Sequence, residues 1–296
     1  MALFDIPKWV KLHQFPDKKF KDLSADEIAD LKSRLSKFRS ADPEISVMIP
    51  AWNEENNIFR TLSSLASSNT KYRVELVVIN NNSTDNTQHV LDELGVLSLF
   101  QPNQGTAHAR QMGLEAAKGK YHLCADSDTY YPPSWVDLMV KPLRTVKGCV
   151  GVYGRYSFMP KEPKERFMMT IYEKITGLLI RVRKYKREHI NFLGFNMGFL
   201  TEAGRNNGGF EVTEVRKFDN AVGSDYFVDE AEDGRMALNL KKVGHLVLVT
   251  APKARVFTSA RRLTSEGGLM QSFLNRLKLH SNRMKEYLSG PSSENF

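Results

Sequence analysis

This chain is short of cysteine, of long apolar runs and of metal-cage spacings, and each shortage removes a class of protein. Cys124 and Cys149 are the 2 cysteines among 296 residues. Both lie in apolar, strand-like runs, which argues against a disulfide framework and predicts reduced core thiols. The most lipid-like segment, residues 167–182, is broken by Glu173, Lys174 and Arg181, so no transmembrane span is predicted. The opening Met1-Ala2-Leu3-Phe4-Asp5 lacks the charged and then apolar order of a secretory leader, and a cytoplasmic location is expected. His108 and His122 show no zinc spacing, and neither H-E-x-x-H nor a paired C-x-x-C occurs. Without G-x-x-x-x-G-K-[ST], or G-x-G-x-x-G after the first strand, a P-loop nucleotidase or dinucleotide dehydrogenase is disfavoured.

What is present is enough apolar residue for a core, 41% of the chain, and an excess of positive charge, +8. Such a balance suits an anionic partner, whether nucleotide, nucleic acid or a membrane surface. The basic residues gather in the amino-terminal arm, in Arg181-Val182-Arg183-Lys184-Tyr185-Lys186-Arg187, and after Arg255. Ordinary solvated faces are the plain alternative for any one of these clusters.

Three segments are expected. Residues 1–44 form a basic, aromatic arm containing Phe4, Trp9, Phe15 and Phe20, followed by a helix. Ser24 and Glu27 have capping-box spacing there, and Ile28, Leu31, Leu35 and Phe38 make one stripe. From residue 45 strands alternate with helices: strands at 45–49, 74–79, 96–100 and 121–125, helices at 53–67, 84–94 and 106–117. This pattern predicts an α/β fold, a Rossmann-like and mostly parallel sheet flanked by helices. Ligands on such sheets bind beyond the carboxyl ends of the strands. After Pro132-Pro133 the order blurs. Strands are expected at 149–153, 155–158 and 246–250, with a long helix at 163–185. Residues 191–210, rich in Gly and Asn, read as loop around a short helix. The acidic run Asp229-Glu230-Ala231-Glu232-Asp233 opens a helix through Leu240. The main domain therefore spans 45–260, in halves 45–130 and 131–260, and 261–296 form a helical tail.

The chemistry concentrates at strand ends. Asp126-Ser127-Asp128 follows an apolar run, and residues two apart in a strand share a side, so both carboxylates can meet one cation. Magnesium or manganese held by one or two carboxylates plus diphosphate oxygens is a common nucleotide arrangement; a simple Asx turn is the alternative. Two further strand ends carry Pro50-Ala51-Trp52-Asn53-Glu54-Glu55-Asn56 and Asn80-Asn81-Asn82-Ser83-Thr84-Asp85-Asn86-Thr87. Gly105-Thr106-Ala107-His108-Ala109-Arg110 adds a glycine turn, a helix start and an arginine, all suited to phosphate.

In this order, these motifs resemble the inverting glycosyltransferases of family 2, which have the GT-A fold and nucleotide-sugar donors. The resemblance spans roughly residues 45–250 and implies roles residue by residue. Pro50, Ala51 and Glu54 would line the base and ribose pocket, with Asn80 facing the base and Asn53, Asn82 and Ser127 among the substrate contacts. Arg110 would lie near the base or phosphates. Asp128 would ligate Mn²⁺ or Mg²⁺, and Asp126 would approach the ribose, the metal or its water. Asp233 matches the usual catalytic base, with Glu232 beside it and Glu230 as a weaker alternative. Asn80 departs from the aspartate often found there, which leaves the donor base open between UDP- and GDP-linked sugars. Apart from the resemblance, Arg261 and Arg262 just past the last strands are candidates to close over the donor diphosphate as a lid, with ordinary surface charge as the alternative. The acceptor would be a hydroxyl of a glycan or lipid-linked glycan, and the arm and the Arg181–Arg187 helix would offer peripheral membrane contact. Nucleic acid is not an expected partner. Two rivals are a sugar nucleotidyltransferase, whose glycine-rich activation loop is missing since residues 50–57 contain no glycine, and a non-catalytic basic protein binding membrane or nucleic acid.

Overall fold

The computed structural model describes residues 5–160, 162, 164–210, 232–261 and 269–282. The amino-terminal residues fold back through α1 (Lys8–Lys11) and α2 (Ala25–Leu35). Ser24 and Glu27 form the anticipated reciprocal cap on α2, which buries Leu31 and Leu35. Trp9, Phe15 and Phe20 of this arm make ring contacts with the main domain. Phe15 and Phe20 meet Phe59 at 5.3 and 5.8 Å between ring centres, and Trp9 meets Phe257 edge-on at 5.9 Å. These three side chains thus pack against the main domain.

The next four strands are β1 (Ile45–Ala51), β2 (Val74–Asn80), β3 (Leu97–Phe100) and β4 (Tyr121–Cys124). They are connected by α3 (Ile58–Ala66), α4 (Thr87–Glu93) and α5 (Thr106–Ala116), and all their pairings are parallel. Both α3 and α4 begin several residues later than their sequence suggests. Polar side chains before each bond across to the neighbouring loop, and Asn53 adopts φ 54°, which takes it out of the helical region.

Beyond β4 come β5 (Thr129–Tyr130), α6 (Trp135–Thr145), β6 (Cys149–Gly154), β7 (Tyr156–Met159) and α7 (Glu165–Lys186). Then follow β8 (Met197–Leu200), α8 (Thr201–Arg205), α9 (Glu232–Lys241), β9 (His245–Val249), β10 (Val256–Ser259) and a last helix, Leu269–Asn282. The main sheet runs β3-β2-β1-β4-β8-β6-β9 and is parallel except where β8 inserts antiparallel between β4 and β6. A second sheet, β5-β10-β7, lies beside it. The expected mostly parallel sheet with helices is thus present, but 191–210 is not simply loop and helix: it supplies a central strand. Gly198 is needed there, because a Cβ would lie 2.4 Å from Leu123 Cδ2 and 2.9 Å from the His122 carbonyl.

Trp135, Tyr131, Phe59 and Phe199 are among the largest fully buried side chains. Cys124 and Cys149 are buried and unpaired, and burial pushes the Cys124 thiol up to about 12. His122 stacks on Phe199 at 4.7 Å, and burial, aided by Arg110 and Arg205, pushes its pKa down to about 3. Neutral packing explains it.

Candidate functional site

The carboxyl ends of β1 and β2 are zipped together by the polar residues that mark them in the sequence. The Asn53 N–H donates to Ser83 Oγ (3.0 Å), and the Thr84 N–H donates to Asn53 Oδ1 (2.8 Å). One residue on, the Glu54 N–H reaches Thr87 Oγ1 at 2.8 Å and the Glu55 N–H reaches Asp85 Oδ2 at 3.1 Å. Asn80 is buried with both ends engaged, Nδ2 donating to Gln88 Oε1 (2.9 Å) and Oδ1 accepting from the Ser83 N–H (3.0 Å). Its neighbour Asn81, which sequence reasoning did not single out, pins the next loop. It donates to the Asn103 carbonyl (2.7 Å) and accepts from the Gly105 N–H (2.8 Å), where φ is 143°. Asn82 turns the chain at φ 59°. Ala51 is buried, its carbonyl accepting from the Asn81 N–H at 2.8 Å, and Pro50 beside it is half-buried.

Asp126, Ser127 and Asp128 lie in the turn between β4 and β5, so strand alternation does not align the two carboxylates. The turn is held from three sides. The Asp126 N–H donates to Tyr131 Oη (2.8 Å), whose hydroxyl donates to the Phe195 carbonyl (2.9 Å). Thr61 Oγ1 donates to the carbonyl of buried Ser127 (2.8 Å), and the Ser259 N–H donates to the Asp128 carbonyl (3.2 Å). Each carboxylate meets a different arginine. Asp126 Oδ1 lies 2.7 Å from Arg110 Nη2, and Asp128 Oδ2 lies 2.8 Å from Arg261 Nη2.

Arg110 is the centre of the arrangement. Its side chain is only 4% exposed. Besides Asp126 it donates to the Gly194 carbonyl (3.2 Å), and its Nε lies 3.6 Å from both Glu232 Oε1 and Asp233 Oδ1. Gly194 completes the ring by donating its N–H to Asp233 Oδ2 at 2.8 Å. Three carboxylates thus face one buried cation. Burial works against the Arg110 charge, but Asp233, Asp126 and Glu232 overcome that and hold it charged beyond the ordinary arginine range. The surplus negative charge falls on Asp233. Burial, then Glu232, push its carboxyl up to about 7 against the pull of Arg110 and the Gly194 N–H. A carboxyl titrating near neutrality is suited to proton transfer.

Arg261, half exposed, spans the other side, bonding both Asp128 and Glu54. Glu54 is buried, also accepts from Asn57 Nδ2 (2.7 Å), and is held above the usual carboxylate range by burial despite Arg261. A guanidinium already resting on Asp128 shows that this carboxylate attracts a cation, and Asp128 and Asp126 retain 21% and 29% exposure. The pair therefore fits a divalent ion shared with phosphate oxygens. Arg262, Asp229 and Glu230 lie outside the described residues. Gly194 and Tyr131 carried no motif signal; only the glycine-rich character of 191–210 hinted at a close approach.

A family profile described as Glycosyl transferase family 2 matches residues 46–205, more than half of the chain. The chain is 30% identical over 142 residues to Glycosyltransferase GlyA of Streptococcus pneumoniae serotype 4, a match covering 45% of this chain and 20% of GlyA. It therefore spans well under two thirds of that relative's length. Among solved structures, a mannosyltransferase from Pyrobaculum calidifontis superposes with TM-score 0.52 at 20% identity, covering 85% of this chain and 70% of the other. Glucosyl-3-phosphoglycerate synthase from Mycobacterium tuberculosis gives TM-score 0.50 at 20% identity, covering 90% and 86%. At this identity the two structures establish a shared fold.

Proposed function

Because this chain belongs to glycosyl transferase family 2, and is thus a transferase enzyme of GT-A type, we propose that it moves a sugar with inversion from a nucleotide-sugar to a hydroxyl acceptor. The observation that carries the reading is Arg110, one buried cation joined to Asp126 on the donor side and to Glu232 and Asp233 on the other. The acceptor hydroxyl gives its proton to the Asp233 carboxylate while its oxygen bonds the anomeric carbon. The bond from that carbon to the diphosphate oxygen breaks, and the nucleoside diphosphate leaves with the electron pair. Glu232 sustains the basicity of Asp233 by repulsion. Asp128, with Asp126, would hold Mn²⁺ or Mg²⁺, which supplies charge to stabilise the leaving diphosphate. Arg261, which bonds Asp128 here, would meet the same diphosphate once Asp128 takes up the ion.

Both uridine and guanosine donors belong in the proposal. The mycobacterial synthase was solved with Mn²⁺ and UDP-glucose, and the mannosyltransferase with GDP-mannose and Mn²⁺. Pro50, Ala51, Asn53 and Glu54 would frame the nucleoside, with Asn80 and Asn82 acting through the turns they fix. Among the described residues no helix is long and apolar enough to cross a membrane. A glycan or lipid-linked glycan acceptor reached at a membrane surface is supported by the exposed residues of α7. The test is calorimetric titration with UDP, GDP and their sugar conjugates, with and without Mn²⁺. Metal-dependent binding of one nucleotide, lost in Asp128→Ala, is expected; equal binding by the variant overturns the donor site.

A further inference from the structure

Arg155, Arg181 and Arg255 form a cationic cluster that the donor site and the proton transfer leave unused. Strands β7 and β10 are parallel with Tyr156 opposite Val256, and the residues just before that rung are Arg155 and Arg255. The Val256 N–H bonds the Arg155 carbonyl at 3.3 Å, fixing the two side by side. Helix α7 is clamped on β7 by Glu173, which accepts from the Phe158 N–H (2.9 Å) and Ser157 Oγ (3.0 Å). Two turns further along α7 stands exposed Arg181. None of the three guanidinium groups makes an ion pair or side-chain hydrogen bond among the described residues. Burial first, then the charges of Arg181 and Arg255, hold the Arg155 guanidinium below its ordinary range. The cluster also adjoins the proposed reaction centre. Asn196 Nδ2 donates to the Arg155 carbonyl (2.8 Å), and the Gly154 N–H donates to the Asn196 carbonyl (2.9 Å). Two residues before Asn196 is Gly194, the residue bonded to Asp233.

We propose that Arg155, Arg181 and Arg255 form a phosphate-binding subsite on the acceptor side, so that the hydroxyl acceptor is a phosphorylated molecule. Like charges assembled without counter-ions are stabilised by an anion, and arginine forks match phosphate oxygens. Phosphate binding stands on the arginines alone, whereas naming the ligand as the acceptor rests on the proposed transfer reaction. A soluble phosphate ester and a lipid phosphate share this chemistry.

The test titrates inorganic phosphate into the full chain without metal or nucleotide, comparing wild type with Arg155→Gln/Arg255→Gln, with Arg181→Gln and with Lys141→Gln, an exposed lysine on α6. Saturable binding is expected, weakened at least about tenfold in the double variant, weakened also by Arg181→Gln, and unchanged by Lys141→Gln. Arg181 is exposed, so its variant reports even if the double variant fails to fold. Nucleotide binding with Mn²⁺ is expected unchanged in all three, which separates failure of this subsite from failure of the donor site. Vesicles bearing phosphatidic acid, set against phosphatidylcholine vesicles, distinguish the sources: competition with phosphate marks a lipid phosphate, and its absence a soluble one. Phosphate affinity that ignores the arginine substitutions, or falls as much in Lys141→Gln, overturns the proposal.

Discussion

Position 194 is closed by an arginine. A Cβ there would lie 1.9 Å from Arg110 Nη2 and 2.3 Å from its Cζ, so this buried guanidinium would have to shift. Gly194→Ala should therefore prise Arg110 from Asp126 and Asp233 and cost about 3 kcal/mol, the scale of a broken buried ion pair. Urea denaturation measures this, and a loss within the error of the method would show that the ring yields easily. Asp233 makes the second prediction. In the proposed transfer its deprotonated form is the base, so turnover should rise with pH through about 7 and level off above. Stability moves the other way. The folded chain holds this proton to higher pH than the unfolded chain, so the group's contribution is complete below the unfolded value near 4 and is lost as pH rises through about 7. A pH–rate profile with no inflection between 6 and 8 would count against Asp233. Asp126, Asp128, Arg110 and the Glu232-Asp233 pair are legible in the sequence because residue type and order mark them. Gly194 is not, since its requirement comes from an arginine 84 residues away.

Among the elements, β1 to β4 and α3 to α5 could be read because apolar runs and 3.6-residue stripes alternate without interference. Helix α6 was hidden by Pro132 and Pro133 before it and by Pro142 within it, although its inner face, Trp135, Val136, Met139, Val140 and Leu143, is buried. Strand β8 was hidden by brevity and glycine; its place between β4 and β6 is set by partners that local sequence does not contain. Helix α7 has two faces. Its inner face buries Met169, Tyr172 and Thr176, with Tyr172 stacked on Phe273 at 4.3 Å. Its outer face exposes Phe167, Ile171, Lys174, Leu178, Arg181 and Tyr185 at spacings of three or four. An apolar stripe mixed with basic residues fits an anionic bilayer surface. Cosedimentation with phosphatidylglycerol vesicles should exceed that with phosphatidylcholine and fall sharply in Phe167→Glu/Leu178→Glu. Equal, weak pelleting with both lipids would remove membrane contact from the account.

At the scale of the whole molecule, the amino-terminal arm packs against both α3 and the smaller sheet. Trp9 packs on Phe257 of β10, the strand that leads to Arg261, so the arm supports the element placed across Asp128. Family membership sets aside the nucleotidyltransferase and the non-catalytic alternatives. The first half was the more legible because the loops at its strand ends carry motifs in a fixed order. The second half depends on contacts between distant segments, such as Arg155 with Asn196 and Arg110 with Asp233. The proposed transfer needs a donor side organised by Asp128 and a proton-accepting side organised by Asp233, tied through Arg110. It is tested most directly by the rate of donor consumption in Asp233→Asn at saturating donor and Mn²⁺, with donor affinity measured alongside. Unchanged affinity with turnover reduced at least about a hundredfold is the predicted result. Turnover near that of the wild type would contradict it.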